Sequence, residues 1–518
     1  MFAERAYLFR HALLRDAAYQ LQLPGDRARL HGLAFEAIEA LAGGRPPEPA
    51  PLDAADAPPF RPHAAGVFAL ELAEHARLAL AGAEAEGQTE RSSSMRPAHL
   101  LYLRYAAEEA ERKCRWDDAI QLWQQLSEYV PGAQKGEALC RAAEAAFQSG
   151  RPLMAKPLFE RGLAIQHEVG HRRLEGTALG RLATLYQEIG LVEKAERTFE
   201  RALAIHREVG NRKYEGAVLG NLTNLYKETG RVEQAERANE QALAIHREVG
   251  NRRFEGVVLG NQANLDYEAG RVDQAERTFD QALAIHREVG NRRSEGVALG
   301  NLANLYKEAG RLDQAERTYG QALAIHREVG NRRAEGVALG NLASLYNESR
   351  RVEQAERAYE QALAIHREVG NRRSEGISLG NRGCHYQAVG RLAEAELSFE
   401  QALAIHREVG NTRSEGIELA NLAVLYRESG RAERSEHTFA HSLAVLRKFG
   451  DRRYESLCLC EFALLNLAGG RVDDAREKWR QGAEELRRLR FPEVEAQVRS
   501  MRDACMKAGV RPFDEASS

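Results

Sequence analysis

Six histidines recur at intervals of 40 residues, and histidine is the commonest metal ligand among protein side chains. The series consists of His206, His246, His286, His326, His366 and His406. Zinc holds its ligands about 2 Å from the ion, whereas equivalent positions on stacked helices stand at least about 8–10 Å apart. Neighbouring histidines therefore cannot share a metal ion. We expect a structural or surface role for them and no metal site.

A second periodic series consists of asparagines, whose side-chain amide both donates and accepts hydrogen bonds. That combination can hold the main chain of a bound peptide without reading its side chains. One ladder is Asn221, Asn261, Asn301, Asn341, Asn381 and Asn421, and a shorter one is Asn224, Asn264 and Asn304. A glycine precedes each of the first five, and glycine inside a helix costs about 1 kcal/mol relative to alanine. Close approach of a ligand backbone, or of a neighbouring helix, would explain these glycines.

A basic ladder accompanies the asparagines and predicts a preference for acidic side chains or a carboxylate. Its members Arg253, Arg293, Arg333 and Arg373 belong to a longer series from Arg173 to Arg413, with Lys213 at one position. Within one unit Arg293, Val297, Asn301, Asn304 and Glu308 follow helical spacing and share one stripe. The alternative is that these polar residues are merely solvated and were copied by duplication.

The element that must position these side chains is a repeated pair of helices. The string Ala-Leu-Ala-Ile-His-Arg-Glu-Val-Gly occurs six times, 40 residues apart, ending at Gly210 and finally at Gly410. A fixed period of this size indicates a solenoid, in which stacked units bury a core that none could bury alone. In the unit 291–330 we predict helix A from Arg292 to Ala309 and helix B from Leu312 to Val329, each ended by a glycine.

The sequence divides into six segments. Residues 1–42 are predicted to be helical, with apolar residues at helical spacing. Residues 43–97 contain a proline-rich connection, a helix near 65–82 and a flexible linker over 83–97. Looser helical pairs cover 98–170, seven regular 40-residue units cover 171–450, and a degenerate repeat with a capping helix covers 451–510. Residues 511–518 form a tail.

Composition favours a cytoplasmic protein. The 73 basic and 76 acidic residues nearly cancel, so the charge gives no reason to expect nucleic acid or an anionic membrane as a partner. No apolar run approaches the roughly 20 residues of a membrane helix. Arginines interrupt the N-terminus, which therefore lacks a signal-peptide pattern. The six cysteines show neither zinc nor redox spacing, and we expect no cofactor.

The repeat resembles the tetratricopeptide repeat (TPR) family. The matching positions are Leu299, Leu302, Ala303, Tyr306, Gly310, Ala315, Tyr319 and Ala322. The usual TPR period is 34 residues, so the chain is similar to the 40-residue class of kinesin light chains and Pins-type adaptors. The resemblance implies an all-α superhelix whose A helices line a concave groove. It also implies that asparagines on those helices hold a peptide main chain.

Residues 7–31 resemble the segment that follows the nucleotide-binding domain in bacterial signal-transduction ATPases of the STAND type. The matching residues are Phe9, His11, Ala12, Leu13, Arg15, Ala17, Tyr19, Leu23, Arg27 and His31. The chain departs from that family because it contains no G-x-x-x-x-G-K-[ST] phosphate-binding loop. We expect either the C-terminal part of a longer ATPase or an array separated from one.

The sequence therefore predicts a non-enzymatic scaffold that binds an extended, acidic protein segment in its groove, in a bacterial signalling context. The alternative is the sensor arm of a STAND-type ATPase. Neither prediction fixes an oligomeric state. One seam breaks the pattern, because Asn239, Gln262 and Asp266 replace apolar or aromatic residues. We expect a soft or water-bridged contact there, and Arg382 and His385 indicate a second weak unit.

Overall fold

The computed structural model describes residues 23–55, 60–488 and 494–513. Over these residues the regular secondary structure is entirely helical, and none of the described helices is long and apolar enough to cross a membrane. Most of the STAND-like segment, residues 7–22, lies outside the described residues. Because the helices follow one another as packed antiparallel pairs, the predicted all-α solenoid is confirmed.

The helices are numbered here in chain order. They are α1 (Pro24–Leu41), α2 (Ala69–Ala85), α3 (Thr89–Arg112), α4 (Trp116–Tyr129), α5 (Gly132–Gln148), α6 (Pro152–Glu168), α7 (Arg172–Glu188), α8 (Val192–Glu208), α9 (Arg212–Glu228), α10 (Val232–Glu248), α11 (Arg252–Glu268), α12 (Val272–Glu288), α13 (Arg292–Glu308), α14 (Leu312–Glu328), α15 (Arg332–Glu348), α16 (Val352–Glu368), α17 (Arg372–Ala388), α18 (Leu392–Glu408), α19 (Thr412–Glu428), α20 (Ala432–Phe449), α21 (Arg452–Ala468), α22 (Val472–Arg488) and α23 (Val494–Ala508).

The described residues form two compact units. The first draws on Met1–Ala146 and Pro157–Leu174, and the second on Phe147–Lys156 and Glu175–Ser518. The first unit differs from the sequence expectation near its third helix. Residues 89–97, expected to be part of a flexible linker, are instead the first turns of α3. Methionine and alanine side chains buried on that helix, Met95 and Ala98, explain why this stretch is ordered.

In each regular unit of the second compact unit, helix A and helix B begin and end as the sequence signals indicate. Helix B of the unit 291–330 ends before Gly330, whose φ of +65° is the left-handed conformation that glycine adopts without steric cost. The next residue, Asn331, accepts a hydrogen bond from the backbone N–H of Ala334 and caps the following helix A. One turn departs from this rule, because Arg350 adopts φ +56° where other units have glycine.

The core of each unit consists of the positions predicted from the TPR pattern. In the unit 291–330 all of them except the turn residue Gly310 are buried, and the rings of Tyr319 and its equivalents fill the space between helices with no exposed surface. Small residues such as Ala303 and Ala315 let the helix axes approach closely, because they add no side chain beyond Cβ. The residues buried in this way are Leu299, Leu302, Ala303, Tyr306, Ala315, Tyr319 and Ala322.

A repeated ionic clamp ties each helix A to the end of the preceding helix B. Glu295 is only 3% exposed, and its two oxygens accept hydrogen bonds from Arg287 at 2.8 Å and Arg292 at 2.6 Å. Arg292 also reaches Glu328 on helix B of its own unit at 2.6 Å. A buried carboxylate requires such partners, because an unpaired buried charge is strongly unfavourable. Equivalent clamps hold Glu215, Glu255, Glu335 and Glu375.

The irregular seam contains direct hydrogen bonds between side chains. Asn239 on α10 donates to Gln262 on α11 at 2.9 Å, and Gln262 donates to Asp266 at 3.2 Å. Asp266 also accepts from Arg271 and from Thr278 on α12. The polar substitutions are therefore linked by direct hydrogen bonds across three helices, where a soft or water-bridged contact was expected. The buried side-chain oxygen of Asn239 has no hydrogen-bond partner among the described residues. In the second irregular unit, His385 lies 2.8 Å from the side-chain oxygen of Asn347 on α15.

Candidate functional site

The stack of helices in the second compact unit curves towards its A helices. Helix A of each regular unit contacts helix A of the next, as α11 contacts α13, whereas helices B of successive units approach each other less closely. A stack whose two layers have different spacings must bend towards the more closely spaced layer. We call the exposed side of the A helices the inner face. It comprises the positions equivalent to Arg293, Val297, Gly300, Asn301, Asn304 and Glu308.

The structure places the predicted stripe on the inner face. In α13, Arg293 and Glu308 are exposed, Val297 is 47% exposed, and the asparagines are half-buried. None of these residues belongs to the core set of the unit. The helical spacing therefore separates a buried side from an accessible one, as amphipathic helices require.

Five residues of the first asparagine ladder carry side chains that are accessible and not hydrogen-bonded within the described part of the chain. Each is half-buried, so its amide reaches the inner face without being fully solvated. Because an amide gains most when it binds both a donor and an acceptor, these groups can accept a ligand main chain. The five are Asn221, Asn261, Asn301, Asn341 and Asn381. The sixth, Asn421, instead donates to Glu418 at 3.2 Å.

The second ladder differs, because it also serves the interior of its unit. Asn304 accepts a hydrogen bond from the hydroxyl of the buried Tyr319. Asn224 and Asn264 are half-buried like Asn304. At Asn304 the side chain therefore orients a core tyrosine, which makes it a weaker candidate for ligand binding than Asn301.

The glycines beside the asparagines open onto free space. A β-carbon added to Gly220, Gly260 or Gly300 would meet no atom within 4 Å. Close approach of the neighbouring helix therefore does not explain why these three positions are glycine. Further along the stack the space is filled, because Ser378 lies over Gly340 and Glu418 lies over Gly380.

Only part of the basic ladder is available on the inner face. Arg253 and Arg293 are exposed and make no hydrogen bond or ion pair within the described residues, and neither does Lys213. Two other predicted site residues are already engaged. Arg333 donates to the backbone oxygen of Gln148 at 2.6 Å, and Arg373 forms an ion pair with Glu188.

The engaged arginines join parts of the second compact unit that are far apart in sequence. Arg333 and Gln148 are separated by 185 residues. Close by, the end of α7 approaches later helices, since a β-carbon on Gly190 would lie 2.7 Å from the Phe449 ring. The stack therefore winds until residues that are far apart in sequence meet, and Arg333 and Arg373 are engaged in these contacts.

The histidine ladder lies in the interior between the paired helices. Each ring is at most 2% exposed and rests on a glycine of helix A in its own unit. Burial lowers the pKa of His366 and His406 to about 4, and it lowers the pKa of His246, His286 and His326 in the same direction. These five rings are therefore neutral packing elements at pH 7.

Two features of the inner face were missed by sequence reasoning. Apolar side chains form a ladder of their own, since Val257, Val297, Val337 and Ile377 are 38–47% exposed. Their signal is a β-branched residue repeated in an otherwise polar stripe. The second is Glu418, whose carboxylate lies over the inner-face glycine Gly380 and which is acidic where the preceding units have valine, alanine or serine.

Comparison with known proteins identifies the repeat. The family model described as tetratricopeptide repeat matches residues 174–248, 255–328 and 335–408. Among curated proteins none matches the chain significantly.

Three solved structures are similar to parts of this chain. The STAND protein with a tetratricopeptide repeat sensor from Pyrococcus horikoshii is 15% identical, with 73% of this chain and 56% of that chain covered and a TM-score of 0.42. A Rap protein complexed with Competence and Sporulation Factor is 14% identical, with 65% and 99% covered and a TM-score of 0.43. The kinesin light chain-like repeats of Podosopora anserina are 21% identical, with 38% and 96% covered and a TM-score of 0.31.

Tetratricopeptide repeats are protein-interaction scaffolds, and the accessible inner face described above is consistent with that general role. The match of the family model agrees in register with the buried positions, the turn glycines and the paired helices. The chain therefore carries tetratricopeptide repeats over residues 174–248, 255–328 and 335–408.

Proposed function

We propose that the inner face is a groove that binds an extended peptide segment of a partner protein and that the chain is not an enzyme. The observation that carries the proposal is the ladder of five asparagines whose amides are accessible and unengaged, at identical positions in successive units. A peptide repeats its own N–H and C=O groups at regular intervals. A regular series of amides therefore suits a main chain better than a compact ligand.

The surroundings of the asparagines support the same ligand. Open space above Gly260 and Gly300 lets a backbone approach the helix, because no β-carbon stands in the way. The neighbouring valines Val257 and Val297 offer apolar surface to the side chains of the peptide. Together these residues provide the mixture of apolar floor and oriented polar groups that is typical of binding sites.

The charges on the inner face favour acidic groups in one part of the ligand. Lys213, Arg253 and Arg293 lie at the same position in three successive units and lack intrachain partners among the described residues. An acidic side chain or a terminal carboxylate placed there forms charge-assisted hydrogen bonds. Arg333 and Arg373 were also predicted to bind acidic groups, but their engagement with Gln148 and Glu188 removes them from this proposal.

The bacterial, signalling and cytoplasmic assignments remain part of the proposal. They rest on the sequence resemblance and on the balanced composition. The STAND sensor arm is compatible with the same groove, because a sensor must also bind a ligand.

The test is a selection of short random peptides on the immobilised full chain, followed by fluorescence anisotropy with the most enriched peptide. In the double variant Asn301→Ala with Asn341→Ala we expect binding to weaken about 10- to 100-fold, since each amide supplies up to two hydrogen bonds. Helicity measured by circular dichroism should not change. Gln321→Ala with Gln361→Ala is the matched control, because these amides are exposed on helix B.

Two results would contradict the proposal. Equal affinity of the native chain and the asparagine double variant would exclude the amide mechanism. Failure of the native chain to enrich any peptide would exclude peptide binding in the groove.

A further inference from the structure

Glu418 on α19 is a buried carboxylate at a position that is otherwise small and uncharged. The equivalent residues of the preceding units are Ala178, Val218, Val258, Ala298, Ala338 and Ser378. Its side chain is nearly enclosed, with the residue only 6% exposed. The substitution therefore places an ionisable group where the fold itself requires none.

The Glu418 side chain starts from a buried position, and its carboxylate fills the space above Gly380, an inner-face glycine of the preceding unit. A β-carbon on Gly380 would lie 2.0 Å from one of its oxygens, whereas the corresponding space above Gly300 is empty. One oxygen accepts the hydrogen bond from Asn421 at 3.2 Å. No lysine or arginine pairs with Glu418 within the described part of the chain, whereas Glu295 and its equivalents Glu335 and Glu375 each bind two arginines.

An uncompensated carboxylate in such a place is unfavourable for folding. Burial raises the pKa of Glu418 to about 7, and the hydrogen bond from Asn421 opposes that shift only in part. The group lacks the partner that a buried charge requires. Because the carboxylate lies over Gly380, an inner-face position, a ligand bound in the groove can supply that partner.

We propose that Glu418 binds an ammonium group of the peptide that occupies the groove, either a lysine side chain or the N-terminal amine. This inference rests on the proposed function. The ammonium group provides the positive charge and the hydrogen-bond donors that the carboxylate lacks. Because Arg253 and Arg293 lie on units nearer the N-terminus, opposite charges at the two ends of the site give the bound peptide a fixed direction.

The experiment compares peptides enriched on the native chain with those enriched on Glu418→Ala. This variant restores the residue found at Ala298 and Ala338, so the fold should tolerate it. The best native peptide is then synthesised with its lysine replaced by norleucine and, separately, with its N-terminus acetylated. We expect one of these changes to weaken binding to the native chain about tenfold or more. The same change should have little effect on binding to Glu418→Ala. That variant should bind the unmodified peptide as weakly as the native chain binds the modified one.

Two further variants separate charge from shape and from fold. Glu418→Gln keeps the size of the side chain and should lose binding like Glu418→Ala. Glu433→Ala removes an exposed carboxylate from helix α20 and should bind like the native chain. We also expect Glu418→Ala to unfold at a higher temperature than the native chain, a rise that loss of a merely structural residue would not produce.

The outcomes distinguish this inference from the proposed function. If peptides are enriched but neither lysine replacement nor acetylation matters, or if Glu418→Gln binds like the native chain, the ammonium site is excluded and the groove remains. If no peptide is enriched on the native chain, both proposals fail.

Discussion

The imidazole ring of His326 lies against Gly296 in the same unit, with its nearest carbon 2.6 Å from the point that a β-carbon on that glycine would occupy. The same pair recurs from Gly216 with His246 to Gly376 with His406. In the last regular unit Leu446 replaces the histidine and still contacts its glycine, Gly416. The histidines and this set of glycines therefore recur together because they form one packing contact between helix A and helix B.

Alanine at the two glycines of one helix should have opposite effects. Gly296→Ala should lower stability by about 1–3 kcal/mol, because the new methyl group overlaps the His326 ring. Gly300→Ala should raise stability by about 1 kcal/mol, because it gains helix propensity in open space. Urea denaturation followed by circular dichroism measures both. Similar midpoints for the two variants would show that the contact is not as tight as described.

The array should lose stability as the pH falls from about 6.5 towards 4. A histidine whose folded pKa lies below its unfolded value of about 6.5 binds more protons in the unfolded state, so acid favours unfolding. For His366 and His406, with pKa values of about 4, the loss at pH 5 is about 2 kcal/mol each relative to neutral pH.

The measurement is the thermal midpoint as a function of pH. His366→Leu with His406→Leu should flatten the profile between pH 7 and 5, because Leu446 shows that this contact accepts leucine. An unchanged slope in the double variant would mean that other groups govern the acid sensitivity.

The polar seam should respond differently to single and combined replacement. Gln262→Leu alone should destabilise by about 1–3 kcal/mol, because Asn239 and Asp266 each lose a hydrogen-bond partner. The triple variant Asn239→Phe, Gln262→Leu, Asp266→Tyr restores the pattern of other units and should be more stable than the native chain. The guanidinium of Arg271 should also pack over the ring of the new tyrosine, in the way that the guanidinium of Arg311 lies 4.4 Å from the ring centre of Tyr306.

Hydrogen exchange locates the effect of these seam variants along the chain. Protection should rise in α11 and α12 of the triple variant. Slower unfolding elsewhere, with no change at the seam, would argue against a local origin.

The adjacent arginines Arg292 and Arg293 should differ in their roles. Arg292→Gln should lower the thermal midpoint, because Glu295 keeps only one of its two arginines. Arg293→Gln should leave the midpoint nearly unchanged, since the side chain is exposed and unpaired within the described residues. Arg293→Gln should instead weaken the binding of an acidic selected peptide about two- to fivefold, and added salt should reduce that difference in affinity. Equal effects of the two variants on the thermal midpoint would contradict a structural role for Arg292 and a binding role for Arg293.

Sequence alone determined the helix pairs and their cores. The 40-residue period, the apolar spacing and the glycines at helix ends are local signals, and α13 and α14 end one residue before the predicted limits. The exposed stripe from Arg293 to Glu308 follows from the same helical spacing. The helical state of residues 89–97 is not evident from the sequence, because the stretch is mostly polar and only a few of its side chains, such as Met95, pack against other helices.

Tertiary structure alone decided which periodic residues are available. Two glycine series share one period, yet Gly296 meets a histidine and Gly300 meets nothing, which depends on the packing of helix B against helix A. Arg293 and Arg333 occupy the same repeat position. The winding of the stack brings Gln148, which is 185 residues away in sequence, into contact with Arg333 but not with Arg293. The sequence of a single repeat does not predict such distant contacts, because they arise from the accumulated curvature of many units.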